Sequence, residues 1–266
     1  MRTRLLDRLL FVFVALFLAG PLVVIAGVSI NEQRTLTFPP QGFSLGWYAQ
    51  IFTDEAWRNA LIASVSVAAL ASLLSLAIAL PIAYALWKRA TVFGRLVQLL
   101  GVSPFVLPPV ITALGALSFW ATAGFYGQHF TVVISHAIFF TSLPLVTLSL
   151  GFSTVEREMV EAARTMGANE ATVLRTILLP TILPYMISGF AFAFVLSLNE
   201  YIVAYMTVGF TLETIPIKIF NSLRYGYTPT MASVSILFVA VAAILFSIVA
   251  KLGDLPKLLG AWGGER

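Results

Sequence analysis

Six apolar stretches, each about as long as the roughly 20 residues needed to cross a bilayer, leave this sequence few folds to choose from. They run from Leu9 to Ile30, Ala60 to Trp87, Leu96 to Ala121, Phe130 to Phe152, Ile182 to Met206 and Met231 to Ala250. None contains Lys, Arg or Asp, and apart from Tyr the only ionisable side chains inside them are His136 and Glu200. A bilayer core has no water to satisfy a backbone, so spanning segments are helices or a closed barrel. Barrel strands would alternate with a period of two, and these stretches do not. Charged residues make up 11% of the chain, against about 25% in an ordinary soluble domain. The chain reads as an all-α membrane protein with six transmembrane helices. The first stretch is too long for the apolar core of a signal peptide and lacks a small-x-small exit, so we expect a retained helix.

Basic residues give the orientation, because Lys- and Arg-rich loops stay in the cytoplasm. One side carries Arg2, Arg4, Arg8, Lys88, Arg89, Arg95, Arg157, Arg164, Arg175, Lys251, Lys257 and Arg266; the other has only Arg34, Arg58, Lys218 and Arg224. Both termini are expected in the cytoplasm. Residues 31–59, 122–129 and 207–230 then form exported loops, while 88–95 and 153–181 are cytoplasmic. The formal charge of +4 thus follows the membrane and forms no nucleic-acid patch. Absence of cysteine excludes disulfides, thiolate metal sites and a cysteine nucleophile, and two histidines offer little for a metal. No G-x-x-x-x-G-K-[ST] loop, H-E-x-x-H or G-x-S-x-G pattern occurs, so neither catalytic residues nor a cofactor are expected in this chain. Any driving energy comes from outside it.

The cytoplasmic segment 153–181 is long for a connection between membrane helices. Val155, Met159, Val160, Ala163 and Met166 are spaced to form one apolar helical face. Gly167 is a suitable stop, Asn169 a suitable cap for a second short helix through Val173, Leu174 and Ile177, and Pro180 and Pro184 predict a sharp start to the next membrane helix. By these rules the segment is an angled pair of surface helices, either resting on the headgroups or serving as a docking surface.

The stretch EAARTMGANEATVLRTILLP resembles the cytoplasmic signature of permease subunits of bacterial ABC importers: E-A-A, three residues, G, nine residues, I-x-L-P. Glu161, Ala162, Ala163, Gly167, Ile177, Leu179 and Pro180 match it with the spacing intact. The resemblance implies an ABC importer type I permease fold in which this elbow is the coupling helix, with Glu161, Ala162, Ala163 and Gly167 at the joint with an ATPase. The implied partners are two ATP-binding subunits, which hold the ATP and magnesium, a second and non-identical permease, and a periplasmic binding protein. Residues 58–251 resemble the permease domain, preceded by a helix and exported loop over 1–57 and followed by a cytoplasmic tail, 252–266. The stretch from Leu196 to Ala232 looks most like the spermidine/putrescine permease group, except that Asn199 and Glu200 stand where the group often has two aspartates. This implies a polyamine or related amine as cargo, with sister permeases for ferric iron, phosphonates, thiamine and opines as alternatives.

Glu200 is the only acidic residue in any span, and a charge at the bilayer centre costs about 2.5–3.5 kcal/mol even on the mildest scale. It is expected in the outer half of a continuous fifth helix, either hydrated at the helix mouth or lining a path with Asn199. Tyr201, Tyr205, Trp120 and Tyr126 lie near the same side. They are placed either as an interfacial belt or to stack on an ammonium group. Asn199, Glu200, Tyr201 and Trp120 are the candidate pathway residues. His136 reads as a hydrogen-bonded bundle residue. Pro104, Pro108 and Pro109 predict a bent or unwound third span, and Ser64, Ala68, Ala71, Ser75 and Ala79 predict close helix packing. An ion-coupled carrier using Glu200 as a proton site, and a non-transporting scaffold, are the readings from other classes. Carriers commonly show internal repeats and several intramembrane polar residues, neither of which appears.

Overall fold

The computed structural model describes residues 2–252; Lys257, Arg266 and the rest of the expected tail lie outside the described residues. In chain order the helices are α1 (Arg2–Ser29), α2 (Gly46–Thr53), α3 (Glu55–Lys88), α4 (Val92–Val106), α5 (Pro109–Thr122), α6 (His129–Phe140), α7 (Ser142–Ser153), α8 (Arg157–Thr165), α9 (Glu170–Val173), α10 (Leu179–Asn199), α11 (Ile202–Val208), α12 (Ile215–Tyr225) and α13 (Thr230–Leu252). Within the described residues four helices are long and apolar enough to cross a membrane. Two bent pairs raise the number to six if each pair is one span.

Where the spans break, the sequence supplies a cause. The third bends by 107° between α4 and α5, as its prolines predict. Pro108 has no N–H for the Pro104 carbonyl, and the Thr112 hydroxyl donates to that carbonyl at 3.4 Å instead. The fourth, a single apolar stretch from Phe130 to Phe152 in the sequence, bends by 45° at Thr141. Pro144 removes the donor that would have served Phe140 and so explains the bend.

The fifth span differs from expectation at both ends. It does not start sharply at the prolines: α9 runs through a π turn, Leu174–Leu178, directly into α10. The wider turn absorbs the donor that Pro180 lacks, since the Leu179 N–H reaches back to the Leu174 carbonyl. Nor does it continue to Met206. It ends at Asn199, Glu200 is extended, and α11 begins at Ile202.

The described residues divide into two compact units, 2–61 with 218–242, and 62–217 with 243–252. In the first, Asn31 is fully buried and organises the loop after α1. Its Oδ1 accepts from the Gln33 and Gln41 N–H groups, and Trp47 donates to its carbonyl at 2.6 Å. Ser233 donates to the Ser29 carbonyl, tying α13 to α1. Much of α1, including Phe11, Phe13 and Phe17, stays exposed, as suits a helix whose solvent is lipid.

The second unit holds the remaining spans. Ser64, Ala68, Ala71, Ser75 and Ala79 are all buried, and the Ser75 hydroxyl donates to the Ala137 carbonyl of α6 at 2.9 Å. Small side chains let the two backbones approach, which is the packing the stripe predicts. Helix α10 packs along α7, and α11 packs on α5 and α6. At Gly189 an added Cβ would lie 2.7 Å from the Pro144 Cα, so the α10–α7 approach requires glycine.

Candidate functional site

Two groups of polar residues stand at opposite ends of α10. The first is the elbow. Helix α8 ends in a left-handed turn at Gly167, φ +87°, where the Gly167 and Ala168 N–H groups bond to the Arg164 and Ala163 carbonyls. The Asn169 side chain then caps α9 by accepting from the Thr172 N–H at 2.9 Å. Both roles agree with the sequence reading. The apolar face agrees only in part. Val155 and Val160 are buried with Val173, Leu178, Ala83, Leu148 and Phe152 in one core, but Met159 and Met166 are 49% and 83% exposed. Glu161 and Ala162 are also exposed, so the elbow's exposed residues include both apolar and acidic groups. Burial of the inner face packs the elbow against α3, α7 and α10.

Sequence reasoning missed what braces the elbow. The Glu170 carboxylate lies 3.2 Å from Lys88 Nζ and 2.9 Å from Arg164 Nη2, and it accepts from the Tyr84 hydroxyl at 3.2 Å. Arg157 adds a bond to the Trp87 carbonyl. These contacts join α8 and α9 to the end of α3. Lys88 is far from Glu170 along the chain, so no local spacing announces the pair. Charge balance gives no hint either, since 153–181 holds Glu156, Glu158, Glu161 and Glu170 against Arg157, Arg164 and Arg175.

The second group surrounds the α10–α11 break. The Glu200 side chain is 8% exposed and His136 1%, with Nε2 and the carboxylate 3.1 Å apart. Nε2 forms no hydrogen bond. The contact is therefore one of charge and dipole. The other ring nitrogen lies 2.8 Å from the Ser197 hydroxyl. Both carboxylate oxygens also accept backbone N–H groups, from Val203 at 2.9 Å and Ala204 at 3.0 Å. These donors would be orphans at the start of α11. The helix stops because Glu200 replaces backbone acceptors with its own side chain.

The four candidate pathway residues therefore divide. Asn199 is exposed, with its amide donating to the Val195 carbonyl. Tyr201 is half-buried and stacks on Tyr205, ring centres 5.4 Å apart. Glu200 is turned inward, not at a hydrated helix mouth. Trp120 is buried too: its indole N–H donates to Ser135 at 2.9 Å, and Phe119 and Phe130 stand edge-on to it. Tyr126 is half-buried. The described residues hold no group of three or more His, Cys, Asp or Glu side chains placed to bind a metal.

A multi-span bundle with broken helices and a braced polar elbow defines a membrane permease, and the family comparison makes the assignment specific. The family profile described as "Binding-protein-dependent transport system inner membrane component" matches residues 1–254, and the chain belongs to that family. It is a non-catalytic, multi-pass inner-membrane permease subunit of an ABC importer, which sets aside the ion-coupled carrier and the scaffold. The match includes residues 1–57. The chain is 27% identical over 249 residues to the spermidine/putrescine transport system permease protein PotC of Haemophilus influenzae, covering 91% of this chain and 95% of that one. It is 29% identical over 240 residues to the putrescine permease PotI of Escherichia coli, covering 86% and 84%. Its fold is similar to a chain of a bacterial ABC transporter involved in the import of alginate, with TM-score 0.69 and 18% identity over 94% of this chain and 95% of that one.

Proposed function

We propose that this permease carries a polyamine such as putrescine or spermidine, or a related amine, delivered by a periplasmic binding protein. It would act as one half of a pair of unlike permeases, with both termini in the cytoplasm. Two ATP-hydrolysing subunits dock on the elbows, one on each permease, and hold the ATP and magnesium. The single observation that carries this reading is the elbow. Its inner face shares a core with α3, α7 and α10, while Met159, Glu161, Ala162 and Met166 stand free of that core.

The physical chain is short. An ATPase cleft closing on nucleotide displaces α8 and α9, and the Glu170 brace and buried valines pass the displacement to α3 and α10 without a soft joint. Interfaces and packed cores switch between discrete arrangements rather than deforming continuously, so the bundle alternates between inward- and outward-facing forms. At the far end of α10, Asn199 and Tyr201 line the path, with Glu200 and Trp120 shaping it from behind. The assignment to amines rests on the two polyamine-permease relatives.

The test is co-purification followed by uptake. A tagged chain taken from its native membrane is expected to bring down an ATPase and a second, different permease, and the complete importer is expected to accumulate radiolabelled putrescine only with ATP. Absence of any ATPase defeats the coupling assignment. ATP-driven uptake of other solutes without putrescine defeats only the cargo.

A further inference from the structure

Nothing in the transport reading employs His136, yet it is among the most buried polar residues of the chain and sits against the one carboxylate inside a span. A neutral histidine has one donor and one acceptor nitrogen, and an ionised carboxylate only accepts. With the proton on Nε2 toward Glu200, Nδ1 accepts from the Ser197 hydroxyl, 2.8 Å away. One residue of α6 thus faces both the last turn of α10 and the first residue beyond it.

The consequence lies in the extended residue itself. Glu200, φ −75° and ψ 128°, is the single extended residue between the last residue of α10 and Tyr201. With the Glu200 carboxylate held inward, Asn199 is left outward, and it is exposed. Without a counter-group the carboxylate would be a buried charge satisfied only by two N–H donors, a state that favours rotation toward water. That rotation also frees the Val203 and Ala204 N–H groups to take the Asn199 and Glu200 carbonyls, their ordinary helical acceptors, so the break closes and Asn199 loses its outward place.

We propose that His136 is a positioning residue of the permeation pathway: by facing Glu200 and bonding Ser197 it keeps the carboxylate turned into the bundle and so presents Asn199 to the path. The proposal rests on the pathway reading given above for Asn199. His136 touches no substrate; it decides which side of the α10–α11 break the substrate meets.

The chain's lack of cysteine supplies a readout independent of cargo. Asn199→Cys is introduced alone, the whole importer is held in native membrane vesicles, and its labelling rate by a water-soluble maleimide is measured. Adding His136→Leu is expected to slow labelling at least about tenfold, since a buried carboxylate stripped of a polar neighbour is costly to keep in place. Adding His136→Gln, whose amide can donate to Glu200 and accept from Ser197, is expected to stay within about twofold. A Leu variant that labels within about twofold of the Asn199→Cys parent overturns the proposal. So does a Gln variant slowed as much as Leu, which would mean that only the ring's packing matters. If the Leu variant fails to accumulate, Ser197→Ala decides: a fall in labelling supports the proposal, and an unchanged rate overturns it. Complete absence of labelling in the Asn199→Cys parent defeats the pathway reading and this proposal with it. Failure to take up putrescine strikes the cargo alone and leaves the labelling comparison standing.

Discussion

The second unit uses glutamate in two opposite ways, at Glu170 and at Glu200. Glu170 is exposed and shares its oxygens among Lys88, Arg164 and Tyr84, all reaching it from water. Glu200 is buried and divides its oxygens between a histidine and two backbone N–H groups, with little water in reach. The first arrangement can be remade after each disturbance, because solvent stands in for any lost partner. The second cannot, because every lost partner leaves an uncompensated group in a poor solvent. An exposed brace suits the part of a transporter that is handled by another protein, and a buried one suits the part that must keep its shape.

The comparison is broken most readily at Glu200. Glu200→Ala removes the acceptor for both the Val203 and Ala204 N–H groups and leaves His136 without its counter-group. The expected cost is about 3 kcal/mol, because two buried N–H groups are left without an acceptor. Heating the detergent-solubilised chain and following the remaining monodisperse fraction by size exclusion checks this. A midpoint unmoved from the parent would mean that the break holds itself together. Glu200→Gln, which keeps one acceptor oxygen, is expected to fall between the two.

Next in size is the elbow's turn. A non-glycine residue in the left-handed region costs about 1–2 kcal/mol, and at Gly167, φ +87°, an added Cβ meets nothing within 4 Å. The penalty there is conformational and not steric. Gly167→Val is expected to abolish most uptake and weaken ATPase co-purification while the chain stays in the membrane. Gly167→Asn, which visits that region readily, is expected to retain both. Equal behaviour of Val and Asn would show that the turn is not what sets the elbow's angle.

What could be read in advance divides along the same line. The spans, the third-span break, the glycine turn and the asparagine cap are local. Each depends on residues within a turn or two of one another, so spacing alone carries the information. Pro144 was equally local, and its bend at Thr141 was legible but not read. The Glu170 brace and the His136–Glu200 contact were out of reach, because their partners meet only after the chain has folded back. Composition told only part of what Glu200 does. A carboxylate in an apolar span pointed to a path or a helix mouth, and said nothing of the forward reach by which it bonds Val203 and Ala204 and ends the helix. The N-E-Y run at 199–201 was the signal, three polar-capable residues where an unbroken helix would have had to bury them.

The smallest effect belongs to the exposed brace, and it is the one that distinguishes the two glutamates most sharply. Exposed ion pairs contribute little and are screened by salt, so Glu170→Gln is expected to leave folding unchanged. Its effect should instead appear in coupling. With Lys88 and Arg164 no longer drawn to one carboxylate, α8 and α9 are held to α3 only by the buried valines and the Arg157 bond to Trp87, and the lever loses stiffness at its base. Uptake per ATP hydrolysed is expected to drop by about twofold at low ionic strength, in keeping with a surface network, and to converge on the parent value at high salt, where the parent's brace is screened as well. A loss that persisted in high salt would mean that Glu170 acts through shape rather than charge, and the contrast drawn with Glu200 would then fail.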